Sequence, residues 1–532
     1  MKLKLLFLPR YHCNPDTGKL DTGLAKFPPL GIAVLTSYLR ENQIPTKQDD
    51  LDVKVTCHNE KAKNRERKVN LKLFMDEDRI KNLVKTGQEK KLETEGEKII
   101  KLTKCKGFDI IGFSLNIVDN PSSIAIALVL GKILKSEYDA AVVVGGGFGK
   151  DIMNRLLEGK FIDYVIDGDP IYSIAEINML KFCEMFEMGV EGEKIPGVVY
   201  KKNGELVFTR KQEEYSHEEK FMITKPDFDG LPLPLYTRTL RCNIDGETHE
   251  SNINFLPYFF VRGCPNSCAF CTYGCDTWAA KEPEKVATEI EELSKKYRVK
   301  NFFFINTTIN PTYEYACKLA NEIIKKDLNI VWTDCATFCK MDRKLLRKLK
   351  QAGAARLVFG METGSPKMLK FVKIPYFSPT QAEKILKETY KLKILSQIDV
   401  IIGFPYESEF DIDCTIRFIK KNGKYLTGGV NLNKFYLNGL MLRYPERYGI
   451  RRREQEKFQR NWSTEVFDEI HGLKWEDKVQ QLSKFHEKVH LSLDPSASFV
   501  PNAHELFFIA KNPEIKKMFF GHKEPPRFEE VI

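Results

Sequence analysis

No uninterrupted apolar stretch in the 532-residue sequence approaches the roughly eighteen residues that a membrane-spanning helix requires. The amino terminus, MKLKLLFLPRYH, has too short an apolar segment for a secretory leader and reads as a first buried strand. The cytoplasm is therefore the expected compartment. A disulfide framework is also missing: the thirteen cysteines are odd in number and scattered over a long chain. Nor is there a basic patch interleaved with exposed aromatics of the kind that binds nucleic acid, so no nucleic-acid partner is expected. Lys and Arg outnumber Asp and Glu by 83 to 73, a net charge of +10, but much of the excess lies in a Lys-rich, helical-looking stretch at about 58–106 that reads as a solvated face. The run Gly145-Gly146-Gly147-Phe148-Gly149 fails the dinucleotide pattern G-x-G-x-x-G, because Lys150 occupies the last position and the run comes late in its domain.

What is present is a globular composition, 42% hydrophobic and 29% charged, in a chain long enough for two or three domains. The amino-terminal third alternates apolar strands (Lys4 to Pro9, Asp109 to Leu115, Ala140 to Gly147, Tyr164 to Asp169) with helices (Gly31 to Arg40, Ile124 to Leu134). Such strands predict an α/β domain with a doubly wound parallel sheet and ligand sites at its carboxyl ends. Asn203-Gly204, flanked by short apolar runs, predicts a hairpin, and the Pro-rich Lys225 to Tyr236 follows it. From about Pro257 alternation resumes, with strands at Phe302 to Ile305, Ile330 to Thr333, Ala355 to Gly360 and Ile398 to Gly403. A parallel β/α barrel gathers its active residues at strand carboxyl ends. The expected organisation is an α/β domain at 1–185, a connector at 186–250, a partial β/α barrel at 251–445 and a mainly helical cap over the barrel mouth at 446–532.

The chemistry is concentrated in Val261-Arg262-Gly263-Cys264-Pro265-Asn266-Ser267-Cys268-Ala269-Phe270-Cys271. Three thiolates spaced C-x3-C-x2-C can hold three irons of a four-iron cluster and leave the fourth open. A structural zinc site with Cys275 as fourth ligand and a plain electron-carrying cluster are the alternatives. With Phe270 preceding the last cysteine, this segment resembles the radical S-adenosylmethionine (SAM) superfamily. The resemblance implies a [4Fe-4S] cluster on Cys264, Cys268 and Cys271 whose unique iron binds SAM. It also implies reductive cleavage of SAM to a 5′-deoxyadenosyl radical and a ferredoxin- or flavodoxin-type electron donor.

Further along, Gly360-Met361-Glu362-Thr363-Gly364-Ser365 matches the family motif whose carboxylate bonds the SAM ribose, although an ordinary strand-to-helix turn with a solvated glutamate would read the same way. Asn306 stands where other members contact the methionine amine, in Asn306-Thr307-Thr308 instead of the usual Gly-Gly-Glu. Gly403-Phe404-Pro405-Tyr406-Glu407 resembles the motif near the adenine, or is a simple Gly-Pro turn. Arg262 either shields cluster charge or caps a turn. Phe270, Asn306 and Glu362 are thus the expected SAM contacts.

The first domain resembles the cobalamin-binding domain carried by many radical SAM enzymes, through Pro28 to Ile32, Gly112-Phe113-Ser114 and the glycine-rich strand end. Pro29, Leu30, Ser114, Gly145, Gly146 and Gly147 are the implied cobalamin contacts. The histidine motif of some such domains is replaced here by Asp49-Asp50-Leu51-Asp52-Val53, so cobalt would have no histidine ligand, and a domain that kept the fold without the cofactor would look the same. The implied activity is cobalamin-dependent methylation of an unactivated carbon in an unidentified organic substrate. Rearrangement or carbon–carbon coupling, methylthiotransfer with a second cluster on Cys13, Cys57 and Cys105, and a nonenzymatic electron carrier or cobalamin-binding regulator are the alternatives. A rival signal, His486-Glu487-Lys488-Val489-His490, has the zinc-peptidase spacing H-E-x-x-H. It is more simply read as a helix whose two histidines pack on the side shared with Val479 and Leu482.

Overall fold

The computed structural model describes residues 1–13, 20–21, 27–115, 121–169, 172–210, 214–273, 277–453, 466–493, 495–521 and 526–531. The chain divides into two compact units, Met1–Thr237 and Arg238–Ile532.

In the first unit four apolar runs and one polar segment that the sequence did not mark as a strand, Thr46-Lys47-Gln48-Asp49-Asp50, form a single sheet. These are β1 (Leu3–Phe7), β2 (Thr46–Asp50), β3 (Ile110–Ser114), β4 (Ala141–Gly145) and β5 (Tyr164–Ile166), all parallel, in the order β2-β1-β3-β4-β5. Strand order reverses between β1 and β3, which makes their carboxyl ends the natural ligand crevice. Helix α1 (Leu30–Glu41) follows β1 and begins at Pro29, whose ring fixes the entering backbone. The Lys-rich stretch folds as helices α2 (Leu51–Lys61), α3 (Glu77–Thr86) and α4 (Lys90–Ile100). Ile80, Leu83, Leu92 and Ile99 are buried, whereas Lys81, Lys85, Lys90 and Lys91 face water. Helix α5 (Pro121–Glu137) leads into β4.

The hairpin β6 (Val198–Lys202) and β7 (Glu205–Phe208) turns at Asn203 and Gly204, both at positive φ as a two-residue hairpin turn requires. It extends the first sheet, with β6 antiparallel to β5. The Pro-rich segment also belongs to the first unit: Asp227 N–H donates to the Ala33 carbonyl, Gln48 donates to the Asp227 carbonyl, and Arg40 pairs with Asp227. The stretch expected as a connector at 186–250 is therefore divided at Thr237. Its hairpin satisfies the open edge of β5, and its Asp227 and Gly230 lie against α1 and β2.

The second unit opens with β8 (Arg238–Ile244) and β9 (Glu247–Ile253), an antiparallel pair joined on its other side by β18 (Glu529–Val531). Six parallel strands form the barrel sheet: β10 (Leu256–Tyr258), β13 (Asn301–Phe304), β14 (Val331–Ala336), β15 (Ala354–Glu362), β16 (Leu395–Ile402) and β17 (Val430–Lys434), in chain order across the sheet. A separate two-stranded ribbon, β11 (Val261–Gly263) with β12 (Trp278–Ala280), brackets the cysteine segment. The covering helices are α6 (Pro283–Tyr297), α7 (Tyr313–Lys325), α8 (Arg343–Gln351), α9 (Pro366–Val372), α10 (Pro379–Lys391) and α11 (Glu409–Asn422). Aromatic pairs such as Phe304 on Trp332 and Phe338 on Phe359 fill the interior.

The cap expected over the barrel mouth is split between the two ends. Helix α13 (Trp475–His490), which follows the short α12 (Gly439–Arg443), brings Leu482 against Gly403 at the carboxyl end of β16. Helix α14 (Ala503–Lys511) and the segment before it lie at the amino ends instead: Phe255 meets His504 and Phe507, and Arg356 donates to the Pro501 carbonyl. The apolar run Leu506 to Ile509 is what the open barrel bottom buries. No helix among the described residues is long and apolar enough to cross a membrane.

Candidate active site

The cysteine segment starts where β11 ends, and the Cys264 N–H donates to the Thr277 carbonyl across the β11–β12 ribbon. Inside the loop, backbone bonds run from Ser267 N–H to the Ile374 carbonyl, from Ala269 N–H to the Val372 carbonyl and from Met441 N–H to the Ala269 carbonyl. The loop is thus fastened to the end of α9 and to α12. Gly439 is at φ +59°, and a Cβ there would sit 2.5 Å from the Cys271 carbonyl oxygen. Only glycine combines that conformation with that approach. Cys264 and Cys268 are buried, Cys271 is half-buried, and none is in a disulfide. Burial raises the Cys264 thiol and pushes Cys271 up to about 11. Cys339, which the sequence pattern did not single out, lies in the same neighbourhood and donates to the Pro375 carbonyl.

The turn Gly360 to Ser365 explains itself residue by residue. A register shift between β15 and β16 falls between Gly360 and Glu362, and Glu362 sits at φ +61°, an uncommon conformation for a residue with a side chain. A Cβ on Gly360 would lie 2.6 Å from the Glu362 carboxylate. Gly364 passes against the α11 backbone at Thr415, Thr415 accepts the Gly364 N–H, and Ser365 caps α9 and donates to Asp411. The glutamate is not solvated: it is buried and paired with Lys373 at 3.0 Å, both side chains being about nine-tenths covered. Burial raises the Glu362 carboxyl and Lys373 pulls it back, while the Lys373 ammonium is held above its usual range, opposed by burial and favoured by Glu362 and Cys268. Lys373 also lies over the Phe270 ring at 5.8 Å, and Phe270 packs edge-on against Phe404. Two motifs far apart in sequence therefore meet at one lysine, which no motif had marked.

Asn306 is engaged by the fold. Its amide oxygen accepts the Phe260 and Val261 N–H groups, at 2.8 and 2.9 Å, and its amide nitrogen donates to Asp334. Contact with a methionine amine would need that oxygen to give up a backbone bond. Asp334 is fully buried and its carboxyl is pushed up to about 8 by that burial. Thr307 donates to the Gly263 carbonyl, a second tie between the end of β13 and the cysteine ribbon. In the Gly403 to Glu407 turn, Glu407 accepts the Gly403 N–H at 2.7 Å, its other oxygen is buried with no hydrogen-bond partner among the described residues, and burial pushes its carboxyl up to about 7. Arg262 lies over the Phe259 ring at 5.1 Å.

In the first unit, Ser114 ends β3 and Gly145 ends β4 at matching register, Gly146 and Gly147 continue from β4, and Pro29 and Leu30 open the helix after β1. The sequence-predicted residues thus gather at the carboxyl ends beside the β1/β3 reversal. Space above Gly145 is open, whereas a Cβ on Gly146 would strike the Leu115 carbonyl at 2.7 Å. Small residues at these turns fit a flat macrocycle brought close to the backbone. The acidic run has another occupation: Asp50 caps α2 and accepts the Tyr236 hydroxyl, Asp52 holds Arg10, and Asp49 holds Lys54.

Cys57 and Cys105 are buried free thiols, Cys105 within the apolar core. The Cys13 side chain and Cys275 lie outside the described residues. His490 is exposed, His486 is half-buried and Val479 is 40% exposed. The buried face of α13 is Lys478, Phe485 and Val489; half-buried His486 flanks it and His490 lies outside, so the expectation that both histidines pack is corrected for His490. Among the described residues no group of three or more His, Cys, Asp or Glu converges on a single ion.

A doubly wound parallel domain followed by a six-stranded parallel barrel sheet, with three cysteines on a fastened ribbon loop, defines a two-unit α/β protein. Residues 258–419 match the radical SAM superfamily, and the chain carries a radical SAM domain. It is 27% identical over 330 residues to the uncharacterized methyltransferase PH0819 of Pyrococcus horikoshii, covering 61% of this chain and 66% of that protein. It is 28% identical over 293 residues to the anaerobic magnesium-protoporphyrin IX monomethyl ester cyclase of Rubrivivax gelatinosus, covering 53% and 49%. The chain thus spans between about half and two-thirds of the curated relatives it matches. Its fold is similar to that of the radical SAM methyltransferase TsrM from Kitasatospora setae, solved with cobalamin and a [4Fe-4S] cluster bound. That match has a TM-score of 0.59 and 13% identity, and covers 94% of this chain and 91% of that one.

Proposed function

We propose that the protein is a radical SAM enzyme that methylates an unactivated carbon of an organic substrate with cobalamin as methyl carrier. The observation that carries this reading is the meeting of Phe270, from the cysteine loop, and Glu362, from the end of β15, at Lys373. Cys264, Cys268 and Cys271 would hold a [4Fe-4S] cluster, and the turns at Pro29, Leu30, Ser114 and Gly145 to Gly147 would face cobalamin. When bound, the cluster supplies the electron that splits SAM to a 5′-deoxyadenosyl radical, and the cobalamin supplies the methyl group.

The chain's own residues position and exclude. Glu362 presents a carboxyl group, an acceptor suited to two ribose hydroxyls, and Lys373 favours its ionised form against the effect of burial. Phe270 and Phe404 wall that place with apolar surface, which keeps water from it. Bonds from Asn306 and Thr307 fix the ribbon that presents Cys264. The electron would come from a ferredoxin- or flavodoxin-type protein.

Anaerobic reconstitution with iron, sulfide and cobalamin, followed by metal analysis and a SAM-cleavage assay, tests the reading. About four irons with cobalt and formation of 5′-deoxyadenosine are expected. About eight irons would favour methylthiotransfer, and four irons without SAM turnover an electron carrier. 5′-Deoxyadenosine without methylated product, from competent protein and its true substrate, would remove methyl transfer.

A further inference from the structure

A cleft of about 920 Å³ opens on the first unit beside the edge strand β2, from the start of β1 to the first turns of α2 and the turn before β3. None of its lining residues belongs to the Ser114 or Gly145 turns, so it is separate from the crevice at the β1/β3 reversal. Seven lysines and Arg40 line it, against one carboxylate, Asp49. Asp49 is already shared by Lys54 at 2.6 Å and Lys4 at 3.7 Å, and Arg40 is paired with Asp227. Lys2, Lys47, Lys104 and Lys106 are exposed and have no carboxylate partner among the described residues.

Two of the ammonium groups are held against an apolar wall, Lys4 at 5.7 Å and Lys47 at 6.0 Å from the Phe108 ring centre. Like charges gathered in a concave site with apolar walls focus a positive potential and repel one another, a cost that a bound anion relieves. The volume lies within the roughly 300–1,000 Å³ range of small-molecule pockets. A nucleic-acid strand would call for a row of stacking aromatics along its track, and Phe108 is the single aromatic in this lining.

We propose that the cleft binds a small molecule carrying several phosphate groups, the chemistry shared by nucleoside triphosphates and inorganic polyphosphate. This does not rest on the proposed function, and its test needs neither cluster nor cobalamin. The full chain is titrated calorimetrically with tripolyphosphate and, separately, with ATP. Saturable one-to-one binding that weakens at about 0.5 M salt is expected. The triple variant Lys47→Glu, Lys104→Glu, Lys106→Glu should weaken it by about tenfold or more. A remote triple of equal charge change, Lys285→Glu, Lys318→Glu, Lys344→Glu, should leave it within about twofold. Tighter binding of ATP would assign a nucleotide, and equal binding would assign the phosphates alone.

Four results would overturn the proposal: no saturable binding at low salt, equal weakening by the remote triple, equal affinity for sulfate, or tighter binding of single-stranded RNA. If the cleft triple lowers the unfolding midpoint, Lys104→Gln alone replaces it, with a smaller weakening in the same direction expected.

Discussion

Replacing Lys373 by Met removes the ammonium that compensates Glu362 while leaving a side chain of similar length. The pair is 3.0 Å apart, and the two side chains are 12% and 8% exposed, so water replaces little of what is lost. Breaking a buried pair from one side costs about 3–5 kcal/mol, because the remaining charge is left unpaired in a poor solvent. Glu362 can escape part of this by taking a proton. Its folded-state pKa is already raised above the ordinary 4.5 by burial, and without Lys373 it rises further. An acid raised in the folded state binds more protons folded than unfolded, so the deficit should grow as pH increases from about 4.5 toward the new folded value. The double variant Glu362→Gln, Lys373→Met has no charge to strand and should recover most of the loss. All four tryptophans lie beyond Arg238, so urea unfolding followed by tryptophan fluorescence reads the second unit separately. The reasoning fails if Lys373→Met unfolds within about 1 kcal/mol of the parent with an unchanged pH slope, or if the double variant is no better than the single.

Gly439→Ala should cut the iron bound after anaerobic reconstitution, because a methyl group at φ +59° meets the Cys271 carbonyl at 2.5 Å. Iron per chain measures it, alongside a stability loss of about 2 kcal/mol. Asn306→Ala strands the Phe260 and Val261 N–H groups and one Asp334 acceptor, and should destabilise the second unit by roughly 2–4 kcal/mol in the same unfolding assay. Asp334 has a folded value of about 8 against 3.8 in an open chain, so its contribution to stability falls as pH rises through that interval. Asp334→Asn should flatten the slope there, and an unchanged slope would place the proton elsewhere.

Much of this architecture was legible because period and punctuation agree. Runs such as Ile110–Ser114 and Ala141–Gly145 are apolar enough to sit inside a parallel sheet, and Asn203-Gly204 admits few turns other than the one found. The hairpin's allegiance was not legible, since pairing of β6 with β5 is a tertiary choice made by an open strand edge. In the site, cysteine spacing and the Gly-x-Glu-Thr-Gly-Ser turn could be read because local geometry dictates them. Lys373 and Gly439 could not: each acts on a residue distant in sequence, one through charge and the other through the absence of a side chain. Asn306 shows the converse, a position whose resemblance suggested a ligand contact and whose hydrogen bonds hold the ribbon.

The antiparallel trio β8, β9 and β18 joins the opening strand of the second unit to residues 529–531, with Arg238 and Glu530 paired at 3.0 Å. During synthesis that opening strand leaves the ribosome long before its partner exists. That margin of β8 therefore stays open until residues 529–531 emerge, and nascent chains halted before residue 529 should expose it to chaperones and proteases.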